Sequence, residues 1–136
     1  MATPRVLSVG QCFADHSAIS RTLGKQFAAE VVSADTGAEA LATVRGQAFD
    51  LVLVNRVLDA DGSSGLEVIR QIKADESVGQ VAVMLVSNYE DAQRQAVELG
   101  ALPGFGKSAL GQPPMLARLG PLLHQTPFGQ DDTVTR

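Results

Sequence analysis

The chain has 136 residues and a mass of 14.3 kDa, which is the size of one compact domain. Its composition, 45% hydrophobic and 19% charged, excludes a disordered chain, and no apolar stretch is long enough for a transmembrane helix or a signal peptide. A net charge of -4 disfavours nucleic acid as a partner, and the single Cys12 excludes an internal disulfide and a multi-cysteine metal site. We therefore expect a cytoplasmic protein that binds neither membranes nor nucleic acids.

Five short apolar runs alternate with segments of helical periodicity. The runs are residues 5–9, 30–34, 50–54, 81–86 and 102–105. Residues 51–54 and 81–86 are apolar throughout, which predicts strands that are buried on both faces. Apolar residues also recur every three or four positions after the first and third runs, which predicts helices with an apolar stripe that faces the sheet. These stripes are Ile19, Leu23 and Phe27 in one helix, and Leu66, Val68, Ile69 and Ile72 in the other.

Polar residues and glycine mark where several helices begin and end. Asp15 or Ser17 is predicted to cap the first helix, because short polar side chains accept hydrogen bonds from the free N–H groups of the first turn. Ser64 and Ser87 each precede a glutamate at the spacing of a capping box. Gly100 is predicted to end the fourth helix.

The last helix is predicted to be interrupted. Gly120 is followed by Pro121, which has no N–H for a hydrogen bond in a helix interior, so a kink or a restart is expected there. The domain is predicted to span residues 1–124. Residues 125–136 lack periodicity and are predicted to form a flexible tail.

This alternation of strands and helices predicts a doubly wound α/β domain. Short connections favour right-handed crossovers, a five-stranded parallel sheet and helices on both of its faces. The flavodoxin-like strand order 2-1-3-4-5 is one of the two common arrangements. In that order a functional site lies at the carboxyl ends of strands one and three, which are Gly10-Gln11 and Asn55.

Four sequence features, in this order and spacing, resemble the receiver domain of two-component response regulators over roughly residues 5–124. They are the third strand at 50–54, the segment 35–41 that opens the second helix, the Gly-Leu-Glu triplet at 65–67, and Gly100-Ala101 followed by Lys107. The resemblance, to chemotaxis regulators among others, implies a non-enzymatic signalling module whose partner is a histidine kinase or an output protein. It also implies that helix four, strand five and helix five form the output face.

The resemblance further implies an acceptor aspartate at the end of strand three and two magnesium-binding acids at the end of strand one. Those positions hold Asn55, Gly10 and Gln11 instead. A neutral amide has no carboxylate oxygen to attack phosphorus, and Mg²⁺ usually needs carboxylates as anchors. We therefore predict no catalytic residue, no metal and no cofactor.

Two positions that hold the phosphoryl oxygens in the family are retained, as Ser87 and Lys107. Without that anion, Lys107 is predicted to hydrogen-bond Asn55 or a nearby acid. Asp59 and Asp61 are the candidate compensating acids, because the loop before Gly65 is about two residues longer than the resemblance implies. A capping role for Ser87 and a solvated Lys107 remain open alternatives.

The sequence thus favours a receiver-like domain that binds a signalling protein without phosphorylation, and it allows a weak homodimer. One alternative is phosphorylation at Asp59 or Asp61. Another is a flavodoxin-like binder of a small ligand, although no glycine-rich phosphate loop follows strand one.

Gly104 stands where the resemblance implies a switch aromatic, and strand alternation predicts that Phe105 points to the other face.

Overall fold

The computed structural model describes residues 3–123, which form five strands alternating with five α-helices. The strands are β1 (Arg5–Val9), β2 (Glu30–Ala34), β3 (Leu51–Asn55), β4 (Val83–Val86) and β5 (Leu102–Phe105). The helices are α1 (Phe13–Phe27), α2 (Gly37–Gly46), α3 (Gly65–Ala74), α4 (Glu90–Glu98) and α5 (Pro113–Leu119), with a short 3-10 helix at Lys107–Ala109.

The strands form one parallel sheet in the order β2-β1-β3-β4-β5, which confirms the predicted flavodoxin-like topology. β3 extends to Asn55, which pairs with Val86 of β4. β4 begins at Val83 rather than at residue 81, because Val81 donates its N–H to the carbonyl of Val78 in a turn. The carboxyl ends of β1, β3 and β4 therefore meet at one edge of the sheet.

Apolar layers cover both faces of the sheet, as strands without polar alternation require. One layer is formed with α2, α3 and α4, and the other with α1 and α5. Val52 and Leu53 are neighbours on β3, belong to opposite layers and are both fully buried. This double burial fixes the position of the carboxyl edge and of the loops that leave it.

The first helix begins differently from the prediction. Cys12 occupies the N-cap position of α1, and its thiol accepts a hydrogen bond from the N–H of Asp15 at 3.5 Å. The prediction that Asp15 or Ser17 caps this helix is wrong, since both residues lie inside it. The carboxylate of Asp15 is bound by Lys107 instead.

The predicted capping boxes are also absent. Ser64 stands at the N-cap of α3 but makes no capping bond with its side chain. The N-cap of α4 is Tyr89, and the Ser87 hydroxyl accepts the N–H of Tyr89 at 3.1 Å in a turn ahead of the helix. Gly100, with a φ of +108°, follows α4 directly after Leu99, as predicted.

The predicted interruption of the last helix falls at Gly120. α5 ends at Leu119, and one further turn closes when Leu123 donates its N–H to the carbonyl of Leu119 at 2.9 Å. The predicted domain boundary at residue 124 and the predicted tail at 125–136 lie outside the described residues. Within residues 3–123, no helix is long and apolar enough to cross a bilayer.

Candidate functional site

Asn55 lies at the carboxyl end of β3 and joins two loops through its side-chain amide. Its Nδ2 donates hydrogen bonds to the carbonyl of Gly10 at 3.1 Å and to the carbonyl of Val57 at 2.8 Å. The Gly10 carbonyl also accepts the N–H of Asp59 at 2.9 Å. Asn55 is therefore a hydrogen-bond donor at this position, a role that an ionised carboxylate cannot perform.

The loop between β3 and α3 folds back over the end of β1. Val57 pairs with Ser64 in an antiparallel bridge, and the Leu58 side chain is fully buried. Gly10 has a φ of +74°, and a Cβ at this residue would overlap Cγ of Leu58 and lie 3.0 Å from its Cβ. Leu58 thus fills the volume into which a side chain at position 10 would extend.

Lys107 pairs with an acid on the first helix. Its Nζ lies 2.5 Å from Oδ2 of Asp15. The hydrogen bond from Lys107 lowers the pKa of Asp15, although partial burial opposes this effect. The expected partner of Lys107 was Asn55 or a nearby acid; the partner is an acid, but it is Asp15 rather than the candidates Asp59 and Asp61.

The two candidate compensating acids belong to the turn of the long loop. Oδ1 of Asp61 accepts the N–H of Ser63 at 2.9 Å and its hydroxyl at 2.6 Å, and these bonds lower the pKa of Asp61. Asp59 is exposed, and its backbone N–H is bonded to Gly10. Within the described part of the chain, the ion pair of Lys107 is with Asp15 and with neither loop acid.

Three of the seven predicted site residues share a cleft, next to the Gly10 carbonyl that Asn55 binds. Asn55, Ser87 and Lys107 line one cleft of about 360 Å³, whereas Gly10 and Gln11 lie outside its lining. Gln11 is only 8% exposed, and neither polar atom of its side chain has a partner within residues 3–123. Buried amides of this kind usually bind ordered water.

Gln93 of α4 ties the ends of β4 and β5 together. Its Nε2 donates to the carbonyls of Leu85 at 2.9 Å and of Ser87 at 3.0 Å, and its Oε1 accepts the N–H of Gly104 at 3.0 Å. A Cβ at Gly104 would overlap the Leu85 carbonyl, so the close approach requires glycine. The carbonyl of Gly104 accepts a hydrogen bond from Arg118 of α5.

A groove of about 680 Å³ lies between α4 and α5, and Gln93 and Gly104 line it.

Phe105 is 4% exposed and packs in the layer of α1 and α5, on the side that strand alternation predicted. Gly104, where the resemblance implies a switch aromatic, donates its N–H to Gln93.

Sequence comparison decides the family. The model of the response regulator receiver domain matches residues 13–109, which is most of the chain. The chain belongs to the response regulator receiver domain family. No curated protein is significantly similar to it in sequence.

Solved structures share the receiver fold. A putative response regulator from Chloroflexus aurantiacus has a TM-score of 0.79 at 17% identity, with 91% of this chain and 100% of that chain covered. A response regulator from Thermotoga maritima has a TM-score of 0.72 at 25% identity, with the same coverage of 91% and 100%. NtrX from Brucella abortus has a TM-score of 0.75 at 19% identity, and 90% of this chain covers only 27% of that longer chain.

The family resemblance implies a Mg²⁺ ion at this edge of the receiver, and the residues present do not suit it. Gly10 offers no side chain, Gln11 and Asn55 offer only neutral amides, and the Asp15 carboxylate is paired with Lys107. Mg²⁺ is usually anchored by one or two carboxylates. Among the described residues, no group of three or more His, Cys, Asp or Glu side chains could hold a metal ion.

Proposed function

We propose that this receiver acts without phosphorylation, as a protein-binding module with no catalytic role. The amide of Asn55 carries the proposal, because both of its N–H groups are bonded to backbone carbonyls. A carboxylate at the same place would face those carbonyl oxygens with no proton to donate. The backbone around position 55 therefore suits an amide and disfavours the nucleophile that phosphoryl transfer needs.

The surroundings of Asn55 support the same proposal. Leu58 fills the space above Gly10, which leaves no room there for an acidic side chain. The one cation at a retained phosphoryl-binding position, Lys107, already has the Asp15 carboxylate as its partner. A phosphorylation switch needs a phosphoryl group and Mg²⁺ whose contacts differ between two states, and Gly10, Gln11 and Asn55 offer no carboxylate to accept either of them.

The link between α4 and β5 supports a surface with one conformation. Gln93 makes three hydrogen bonds to the ends of β4 and β5, and Arg118 bonds the same glycine from α5. A partner that recognises this face would therefore meet it already ordered, which lowers the entropic cost of binding. We propose that this partner is a signalling protein, either a kinase or an output protein.

The proposal is tested by exposing the full chain to Mg²⁺ with acetyl phosphate, and separately with beryllofluoride. We expect no phosphoryl adduct in the intact mass spectrum. We also expect no saturable change in the amide NMR signals of Asn55, Ser87 and Lys107. The double variant Asp59→Asn/Asp61→Asn is the matched control, and it should behave like the wild type.

Two results would contradict the proposal. An adduct that disappears in the Asp59→Asn/Asp61→Asn variant would establish phosphorylation at the long loop. A flavin or nucleotide that copurifies with the chain, visible in its absorption spectrum, would instead indicate a flavodoxin-like binder of a small ligand.

A further inference from the structure

Two clefts meet at the carboxyl edge of the sheet, and Arg56, Val57 and Tyr89 line both of them. One cleft, of about 360 Å³, reaches Lys107. The other, of about 550 Å³, reaches Leu66 at the start of α3. We call this continuous surface the Arg56 cleft.

The Arg56 cleft is positively charged in a protein with a net charge of -4. Arg56 is exposed and makes no salt bridge within residues 3–123. Lys107 is the other charged residue of the first cleft, and its partner Asp15 lies outside the lining. Asp91 lines the second cleft but is ion-paired with Arg94. The cleft therefore holds a cation that no carboxylate of the described chain neutralises.

Apolar surface lies directly beside this cation. The Arg56 guanidinium is 4.8 Å from the ring centroid of Tyr89, which is 62% exposed, and Val57 is 42% exposed. Stacking on an aromatic ring restricts the guanidinium while leaving its planar edge free to donate two parallel hydrogen bonds to a carboxylate. The ring and the valine leave contiguous apolar surface for a neighbouring side chain.

The absence of acids from the first cleft decides which ligand it accepts. Asn55 contributes an uncharged amide to the lining, so an incoming carboxylate meets no negative side chain there. Lys107 has three N–H donors, of which the contact with Asp15 uses one. The cleft can thus donate hydrogen bonds to an anion from two sides.

We propose that the Arg56 cleft binds a segment of a protein partner in which an acidic side chain lies next to an apolar one. The carboxylate binds Arg56 and reaches towards Lys107, and the apolar side chain packs on Tyr89 and Val57. This inference rests on the proposed protein-binding function, because it names the chemistry of the partner. It places this segment of the partner in the Arg56 cleft, which borders the groove between α4 and α5 at Ser87 and Asn88.

The experiment is an NMR titration of the isotope-labelled full chain, without Mg²⁺ or any phosphodonor. The probe is the blocked peptide acetyl-Leu-Glu-Leu-Asp-Leu-amide, and the control peptide carries Gln and Asn in place of its two acids. We expect saturable shifts at Arg56, Tyr89 and Lys107 with the acidic peptide. Shifts of equal size with the control peptide, or shifts confined to the groove between α4 and α5, would overturn the proposal.

Substitutions identify the cation responsible. Arg56→Gln should weaken binding of the acidic peptide by at least about fivefold, because it removes a charge-assisted pair of hydrogen bonds. Arg21→Gln is the matched control: Arg21 is exposed on α1 and lines neither cleft, so its loss should leave the affinity unchanged. Equal affinities for the two variants would overturn the assignment to Arg56.

Salt and phosphorylation provide independent readouts. Binding by the wild type should weaken at about 1 M salt, where the Debye length is about 3 Å, and binding by Arg56→Gln should weaken less. The titration contains no phosphodonor, so a failure of the peptide to bind would contradict the Arg56 cleft proposal alone and would leave the proposed lack of phosphorylation standing. A phosphoryl adduct, in contrast, would contradict the proposed function, whether or not the peptide binds.

Discussion

The side chain of Leu58 packs directly on the backbone of Gly10, the residue that follows β1. Leu58 is fully buried, and Gly10 has a φ of +74°. Both the left-handed backbone and the leucine disfavour a side chain at position 10. The first of the two acids expected at the end of β1 is therefore incompatible with the conformation of the β3–α3 loop.

This contact predicts that Gly10→Ala lowers the free energy of unfolding by about 2 to 4 kcal/mol, from overpacking against Leu58 and from a Cβ in the left-handed region. Gly46→Ala is the matched control, because a Cβ there meets nothing within 4 Å, and it should be neutral or slightly stabilising. Urea denaturation measures both values. Equal stabilities would show that Leu58 moves aside without penalty.

The fold was predictable because the apolar residues of the strands indicate which segments are buried. Residues 51–54 are apolar without alternation, and all four are fully buried between the two layers. Short connections predicted the parallel sheet, and the observed strand order is one of the two common arrangements of such a sheet. This order places Asn55 at the carboxyl edge. The sequence alone also shows that the residue at this edge, Asn55, carries an amide and not a carboxylate.

The contacts around Asn55 were not predictable in the same way. Asp15 and Lys107 are 92 residues apart, and Asp15 resembles a helix cap in sequence. Leu58 is a single apolar residue in a polar loop, with no periodicity to indicate burial. The sequence indicated this burial only through the length of the loop. The additional residues form the turn that brings Leu58 back over the end of β1.

The donor role of Asn55 predicts that Asn55→Asp is destabilised by about 1 to 3 kcal/mol, because two carbonyls lose a donor and face a carboxylate. The variant should still form no acyl phosphate with Mg²⁺ and acetyl phosphate, since Gly10 and Gln11 supply no metal-binding acid. Denaturation and intact mass measure these two effects.

Asn88→Asp is the control for that substitution. Oδ1 of Asn88 accepts the hydroxyl of Ser108 at 2.9 Å, so an aspartate keeps the acceptor and should change stability little. If Asn55→Asp is as stable as Asn88→Asp, the two donor bonds of Asn55 contribute nothing.

The three hydrogen bonds of Gln93 predict that Gln93→Ala weakens the attachment of α4 to the ends of β4 and β5. We expect a loss of about 1 to 3 kcal/mol in stability and faster hydrogen exchange at the N–H of Gly104, which loses its acceptor. Gln95→Ala, at an exposed position of the same helix, should change neither quantity. Unchanged exchange at Gly104 would contradict the proposal that this link holds the face in one conformation.

The end of α3 carries the clearest dependence on pH. Hydrogen bonds from the side chain of Ser77 and from Arg45 lower the pKa of Asp75 from 3.8 to about 2. Because the folded chain binds this proton less readily than the unfolded chain does, the stabilisation is full above about pH 4 and is lost as the pH falls towards 2. Asp75→Asn should therefore flatten the pH dependence of the unfolding free energy in this window, whereas Glu76→Gln, at an exposed neighbour, should leave it unchanged. Equal slopes for Asp75→Asn and the wild type, measured by urea denaturation, would show that these bonds do not favour the ionised carboxylate.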